Sequence, residues 1–140
     1  MKNLFCADSV GGKGALAILA LRAVAGPAFI LHGWPKFQHA FNWAGEAYPG
    51  WLQALAAFSE FGGGIAITIG LLTQLAALGI AFTMGVAIFQ VHIPKGDPFV
   101  GSMEHPGSWE IAAVYLAIMI VLMLRGAGCI SLDSLIFRKK

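Results

Sequence analysis

Charged side chains are scarce in this sequence. Only 11% of its 140 residues are charged, 58% are hydrophobic, and the mean hydropathy is +0.75. Soluble domains carry roughly a quarter charged residues, because charge keeps their surface in water. The scarcity therefore excludes an ordinary water-soluble domain and predicts a membrane protein.

Several motifs of enzymes and binding proteins are also missing. The two cysteines, Cys6 and Cys129, form no C-x-x-C pair, and there is no P-loop, dinucleotide fingerprint, nucleophile elbow or iron–sulfur spacing. The histidines lack the H-x-x-x-H or H-E-x-x-H spacing of a metal site, so no metal is predicted. The net charge of +2 comes largely from "FRKK", which indicates a topology signal and not nucleic-acid binding.

Long apolar runs are what the sequence has in abundance. A transmembrane helix needs about 20 apolar residues to cross a hydrocarbon layer of about 30 Å. Four stretches fit: residues 14–33, 51–72, 75–93 and 108–124. The predicted fold class is all-α, a four-helix transmembrane bundle that forms a single membrane domain over residues 1–140. The short connection "LLTQLAA" predicts a close antiparallel hairpin between the second and third helices.

Basic residues are distributed unevenly around the predicted helices. Two of them, Lys36 and Lys95, lie in the long loops. Six lie on the side of the termini: Lys2, Lys13, Arg125, Arg138, Lys139 and Lys140. Segments rich in Lys and Arg stay in the cytoplasm. Both termini are therefore expected to face the cytoplasm, with the two long loops outside.

One acidic residue, Glu60, lies inside the apolar run "AAFSEFGGGIAI". An ionisable group at bilayer depth costs at least ~2.5–3.5 kcal/mol on insertion scales, so such groups face the bundle interior and find a partner. Counted along the helices at about 1.5 Å per residue, Glu60 and Arg22 lie at similar depths, which predicts a buried ion pair. The pair either only locks the first helix to the second or belongs to a polar pocket that contacts a ligand or a proton.

Small residues recur at helical spacing on the second and third helices. Repeats every four residues let helix backbones approach closely in lipid. The predicted packing residues are Gly62, Ala66, Gly70, Ala77, Ala81 and Gly85. Gly63 and Gly64 fall on the side of Glu60, at i+3 and i+4. They either belong to the same packing or leave room beside the carboxylate for a planar ligand.

Several short motifs occur in an order and spacing that resemble the DoxX family of small bacterial membrane proteins. They are Arg22, His32-Gly33 with Lys36, Glu60 with its glycines, Gly70-Leu71 followed by Thr73, and the Gly-x-Gly-x-x-Ser-Leu-Asp of residues 126–133. The resemblance covers almost the whole chain after about residue 14, and it implies a four-helix bundle in the bacterial inner membrane. Some members of the family are subunits of thiosulfate:quinone oxidoreductase, and others associate with membrane redox-stress assemblies. Cys129 stands where family members often carry Arg.

Polar residues at the outer helix ends suggest where a ligand would bind. His32 ends the first predicted helix, His92 ends the third and Glu110 begins the fourth, so a bundle can bring them together above Glu60. A quinone head group there would accept a hydrogen bond from an imidazole and exchange a proton with a carboxylate. The candidate pocket residues are His32, Lys36, Glu60, Gly63, Gly64, His92 and Glu110.

Two classes of function follow, and a third stays open. The chain is either a membrane subunit of a quinone-linked redox assembly, or a structural subunit that packs on a larger membrane complex and holds no ligand. A small proton-coupled carrier is the third alternative, because a buried carboxylate is what such a carrier needs. No covalently bound cofactor is expected, and a redox cofactor would belong to another subunit. The expected partners are the lipid bilayer and other membrane-protein subunits, not nucleic acid.

Overall fold

The computed structural model describes residues 12–137, and every regular element in that range is helical. The predicted all-α fold class is confirmed for these residues. The helices are α1 (Gly12–Gln38), α2 (Gly50–Ile69), α3 (Thr73–Val86), α4 (Glu110–Arg125) and the short α5 (Leu132–Phe137). A 3-10 turn, Gly45–Ala47, lies between α1 and α2, and a π-helical turn, Ala87–His92, continues α3.

Among residues 12–137, three helices are long and apolar enough to cross a membrane. They are Gly12–Gln38, Gly50–Ile69 and Thr73–His92, the last formed by α3 and its π-helical continuation. α4 has 16 residues. At about 1.5 Å per residue it is about 24 Å long, less than a hydrocarbon layer of about 30 Å. A fourth span and the cytoplasmic location of both termini stay predictions.

The first helix is longer than the sequence suggested. The prediction ended it at Gly33, but α1 continues to Gln38 with Pro27 and Pro35 inside it. A proline removes one helical hydrogen bond, and transmembrane helices tolerate that loss where neighbouring groups satisfy the backbone. The extra turn places Lys36 on the helix and not in a loop.

α2 ends at a glycine that reverses the chain. Gly70 has a φ of +73°, a left-handed conformation that favours glycine. Its N–H donates to the carbonyl of Ile67, and the N–H of Leu71 donates to the carbonyl of Ala66. This Schellman arrangement satisfies carbonyls at the helix end. α3 then begins at Thr73, so the predicted close hairpin of the second and third helices is confirmed.

Glycines set the distance between α1 and α2. A Cβ atom on Gly33 would collide with the backbone of Phe61, and one on Gly26 would collide with Thr68. A Cβ atom on Gly64 would lie 2.9 Å from the carbonyl oxygen of Gly26. The two helices therefore run antiparallel with their backbones in close contact, as small residues permit in membranes.

The small-residue face predicted on α2 is wrong at Gly62. Gly62 faces open space, Ala66 is half-buried, and Gly70 lies against the side chain of Arg22. Residues 62 and 64 are about 200° apart around a helix, so the glycine run offers several faces. The packing uses the face that carries Gly64.

The core lies between all four long helices. Its buried members are Ile18, Ala25, Phe29, Ile67, Ala77, Ile80, Met119 and Leu122. On α3 the prediction is correct for Ala77, which is fully buried, and for Ala81, which packs against this cluster. It is wrong for Gly85, which faces open space. A four-residue repeat drifts around the helix by about 40° at each step, so its last member leaves the packed face.

The two ends of the bundle differ, and we name them by their segments. The turn end holds residues 66–73 and 126–133, and the loop end holds the two long loops, residues 39–49 and 93–109. The turn end is tied together by Arg22, which is 2% exposed. Its guanidinium donates to the carbonyls of Ile67 and Thr68 in α2, at 2.8 and 3.1 Å. It also donates to those of Ala127 and Ile130, at 2.8 and 2.7 Å.

Asp133 joins the same end of the bundle to the start of α3. Its carboxylate accepts hydrogen bonds from the N–H groups of Leu72 and Thr73, at 2.7 and 3.0 Å. Its own N–H donates to the carbonyl of Gly70, at 2.8 Å. The first N–H groups of a helix have no partner within the helix, so a carboxylate there stabilises α3. Three motifs that are far apart in the sequence thus meet at the turn end.

Candidate functional site

Glu60 lies near the middle of α2 and is 3% exposed. Both of its carboxylate oxygens accept hydrogen bonds from the ammonium group of Lys36, at 2.6 and 2.7 Å. Lys36 lies in the last turn of α1, and its side chain is 28% exposed. The buried carboxylate therefore has a cationic partner, as an ionisable group in an apolar helix requires.

The predicted ion pair between Arg22 and Glu60 is wrong. Arg22 donates to backbone carbonyls at the turn end, and Glu60 pairs with Lys36. The depth count failed because α1 has 27 residues, and its first turns extend past the end of α2. In the antiparallel pair of helices, Gly33 is the α1 residue that packs against the backbone at Glu60.

A groove of about 600 Å³ opens between α2 and α3 and reaches Glu60. We call it the α2–α3 groove. Its charged lining residues are Lys36 and Glu60, and its walls are mainly apolar, with Leu52 and Ala56 from α2 and Phe82 from α3. Small-molecule sites typically enclose about 300–1,000 Å³ with apolar walls and a few polar groups. The groove therefore has the size and composition of a ligand site.

The polar end of the groove combines a cation with an aromatic ring. The Nζ atom of Lys36 lies 4.7 Å from the centre of the Trp43 ring. A cation within about 6 Å of an indole ring is attracted to its face. An ammonium group has three N–H donors, and Glu60 accepts from it with two oxygens. A third donor beside a planar ring suits a ligand that carries a carbonyl oxygen on a flat head group.

Sequence reasoning missed two residues of this site, Gln53 and Trp43. Gln53 is 2% exposed in α2 and hydrogen-bonds the loop that carries Trp43. A signal existed, because "WLQALAAF" holds a single amide inside a predicted span. Buried amides must be hydrogen-bonded, so a lone one indicates an ordered partner nearby.

The outer polar residues predicted to gather above Glu60 do not line the groove. His32 is exposed on α1. The Nδ1 atom of His92 lies 2.7 Å from a carboxylate oxygen of Asp97, and Glu110 is half-buried at the start of α4. The prediction relied on a shared level in the bundle. The groove lies between α2 and α3, and Lys36 is its only lining residue from α1. Its lining ends at Val91, one residue before His92, and includes no residue of α4.

Gly63 and Gly64 are packing residues and leave no room for a ligand. A Cβ atom on Gly63 would lie 3.1 Å from the Cδ1 atom of Ile80, and one on Gly64 would meet the α1 backbone. The predicted ring-sized space beside Glu60 is therefore wrong at these positions. The space lies on the other side of the carboxylate, toward Ser59 and Leu78.

Within residues 12–137, no three His, Cys, Asp or Glu side chains come together as metal ligands would. Of the two cysteines, Cys129 is exposed and Cys6 lies outside the described residues. The prediction that the chain holds no metal stays a prediction.

Comparison with known proteins identifies the family. Residues 17–93 match the DoxX family, and this range includes Lys36, Glu60 and all of α2. The chain is 31% identical over 133 residues to the "Inner membrane protein YqjF" of Escherichia coli, covering 89% of this chain and 95% of that protein. It is 30% identical over 123 residues to an "Uncharacterized protein" of Haemophilus influenzae, covering 85% and 90%.

A third relative carries a functional name. The chain is 28% identical over 129 residues to the "Putative oxidoreductase CatD" of Bacillus subtilis, covering 89% of this chain and 90% of that protein. No solved structure matches the chain significantly. The chain belongs to the DoxX family of membrane proteins, and the resemblance seen in its motifs is confirmed. Its spanning helices and its similarity to YqjF support a multi-pass protein of the bacterial inner membrane.

Proposed function

We propose that this chain is a membrane subunit of a quinone-linked redox assembly and that the α2–α3 groove binds the quinone. The observation that carries the proposal is an apolar groove of about 600 Å³ that reaches the ion pair between the buried Glu60 and the partly exposed Lys36. The similarity to the relative named "Putative oxidoreductase CatD" supports the redox class. Partner subunits would supply the group that transfers electrons.

The chemistry of the site fits a quinone head group. Lys36 donates a hydrogen bond to a quinone carbonyl, and Glu60 holds the ammonium group in place with both oxygens. The Trp43 ring offers a flat surface for the quinone ring at the same end of the groove. Glu60 is therefore a positioning residue, and Lys36 is the residue that touches the ligand.

The experiment measures quinone that copurifies with the protein. The wild-type chain is extracted from bacterial membranes in a mild detergent, and quinone per protein is quantified after solvent extraction. We expect a stoichiometric fraction for the wild type and a loss of at least tenfold for Lys36→Met, because a charge-assisted hydrogen bond contributes about 1.5–3 kcal/mol. Lys95→Met is the matched control, since Lys95 lies exposed in the second loop.

The alternatives give different results in the same preparation. Copurified protein partners without quinone would overturn the quinone site and favour the structural subunit. Equal quinone in Lys36→Met and Lys95→Met would show that the quinone is carried by detergent or lipid. Thermal unfolding of Lys36→Met itself shows whether its loss of quinone reflects misfolding. Lys36→Arg keeps the positive charge and the N–H donors, so it should retain more quinone than Lys36→Met.

A further inference from the structure

The first long loop forms a cap over the polar end of the α2–α3 groove, and the side chain of Gln53 hydrogen-bonds it at three backbone groups. We call residues 39–49 the cap loop. The side-chain oxygen of Gln53 accepts a hydrogen bond from the N–H of Ala44 at 2.7 Å. Its amide nitrogen donates to the carbonyls of Gly45 and Tyr48, at 2.7 and 2.8 Å. A buried amide that uses both donors and its acceptor on one loop fixes the conformation of that loop.

The cap loop places an aromatic ring on the ion pair. The indole N–H of Trp43 donates to the backbone carbonyl of Gln53, at 2.8 Å. The same ring lies 4.7 Å from the Nζ atom of Lys36, and both Trp43 and Tyr48 line the groove. Because Trp43 and Tyr48 belong to the loop end and line the groove beside the ion pair, a water-soluble ligand that enters from the loop end meets them before it meets Lys36.

The groove is open on a different side, along the spanning helices. Four apolar residues of α2 and α3 line it and are more than half exposed: Leu55 (52%), Leu75 (59%), Leu78 (51%) and Phe82 (62%). Both helices are long and apolar enough to cross a membrane, so these side chains meet lipid. Lining residues on α3 and its π-helical continuation run from Leu75 to Val91, a distance of about 24 Å along the helix.

We infer that the ligand reaches the groove from the bilayer, through the opening between α2 and α3, and that it carries an apolar tail. This rests on the proposed function. The head group lies at Lys36 beneath the cap loop, and the tail leaves the groove past Leu78 and Phe82 into the lipid. Gln53 determines specificity, because it holds the cap loop that excludes head groups arriving from water.

The test uses two quinones with the same benzoquinone head, one without a tail and one with a decyl tail. The protein is placed in lipid nanodiscs with Trp43 as its only tryptophan, after Trp34, Trp51 and Trp109 are changed to Phe. Quinones quench tryptophan fluorescence on contact, so Trp43 reports occupancy of the groove. A second protein keeps only Trp34, which is exposed on α1 and does not line the groove, and it measures quenching by quinone dissolved in the lipid.

We expect the decyl quinone to quench Trp43 at a concentration at least tenfold lower than the tail-less quinone, and to favour Trp43 over Trp34. Ala56→Leu narrows the groove and should raise the decyl concentration needed by at least fivefold. Ala117→Leu, on the exposed face of α4, should change nothing. Gln53→Ala removes three hydrogen bonds that hold the cap loop and keeps the one from Trp43 to the backbone of residue 53. The loosened loop should let the tail-less quinone approach the potency of the decyl quinone.

The outcomes separate the inference from the function on which it rests. Both quinones could instead quench Trp43 more than Trp34 in the wild type, and do so at equal concentrations. The groove would then bind quinone but take it from water, so the inference would be overturned while the proposed function stands. If neither quinone favours Trp43 over Trp34, the proposed function fails and the inference fails with it. Gln53→Glu keeps the acceptor for Ala44 and loses the donors. An increase in tail-less quenching there confirms the role of the donors in a folded protein.

Discussion

At the scale of single residues, the unusual feature is a carboxylate inside an apolar helix. Glu60 is 3% exposed and its partner Lys36 is 28% exposed in its side chain. The two charges are therefore desolvated to different extents. A charge deprived of its partner costs more free energy where it is more deeply buried. The two halves of this pair should respond unequally to substitution.

The first prediction follows from that inequality. Lys36→Met leaves Glu60 buried without a counter-charge, and we expect it to lower the free energy of unfolding by about 3–5 kcal/mol. Glu60→Gln leaves without a partner the charge that is less deeply buried, Lys36, and should cost clearly less. The double variant should recover part of the loss, because it removes both charges. Thermal unfolding in one detergent measures all three against Lys95→Met; equal effects of Lys36→Met and Lys95→Met would contradict the pairing.

The sequence was sufficient to show that Glu60 needs a partner, but not which one. Hydropathy places residues along a helix and says little about the offset between helices. Here α1 extends past α2 at one end and continues through Pro35 at the other. As a result, the cation that pairs with Glu60 is Lys36 and not Arg22. Gln53 was overlooked because its importance depends on where the first loop folds.

At the scale of the helices, the contact between α1 and α2 depends on glycines that face backbone. Gly26 and Gly33 on α1 and Gly64 on α2 have no room for a Cβ atom, whereas Gly62 has open space beside it. Four-residue spacing predicted that small residues pack here, and three consecutive glycines hid which face they use. Only the position of the neighbouring helix resolves that choice.

The second prediction compares two glycines of α2: Gly64, which packs against α1, and Gly62, which has open space beside it and serves as the control. In Gly64→Ala the new methyl group would lie 2.7 Å from the backbone nitrogen of Ile30, so the helices must separate. We expect a loss of about 1–3 kcal/mol, the usual cost of overpacking. Gly62→Ala meets nothing and should be neutral or stabilising by up to about 1 kcal/mol, because alanine favours helix. Unfolding midpoints in detergent distinguish them, and equal midpoints would refute the α1–α2 contact.

At the scale of the whole molecule, the turn end and the loop end of the bundle have different roles. The loop end covers the polar end of the groove, and the turn end ties α1, α2, α3 and the segment after α4 together. The excess of basic residues near the termini predicts that the turn end faces the cytoplasm. The groove would then hold its charged end toward the outer leaflet.

The third prediction tests that orientation with thiol labelling of intact cells. Cys129 is exposed at the turn end and becomes a natural reporter in Cys6→Ser. Glu46→Cys, in a chain lacking both native cysteines, reports on the exposed 3-10 turn of the cap loop. A maleimide that cannot cross membranes should label Glu46→Cys in intact cells and Cys129 only after permeabilisation. Labelling of Cys129 in intact cells, with Glu46→Cys labelled only after permeabilisation, would show the opposite topology.

The Arg22 hydrogen bonds also order events during synthesis of the chain. Two of their acceptors, Ala127 and Ile130, lie 105 and 108 residues further along the sequence. α1 therefore leaves the ribosome and enters the membrane long before its arginine can be fully paired. The hydrogen bonds of Arg22 are complete only after the segment that follows α4 has been synthesised. A nascent chain that stops before Ala127 lacks two of the four carbonyl acceptors of the guanidinium, so Arg22 would hold α1 only to α2.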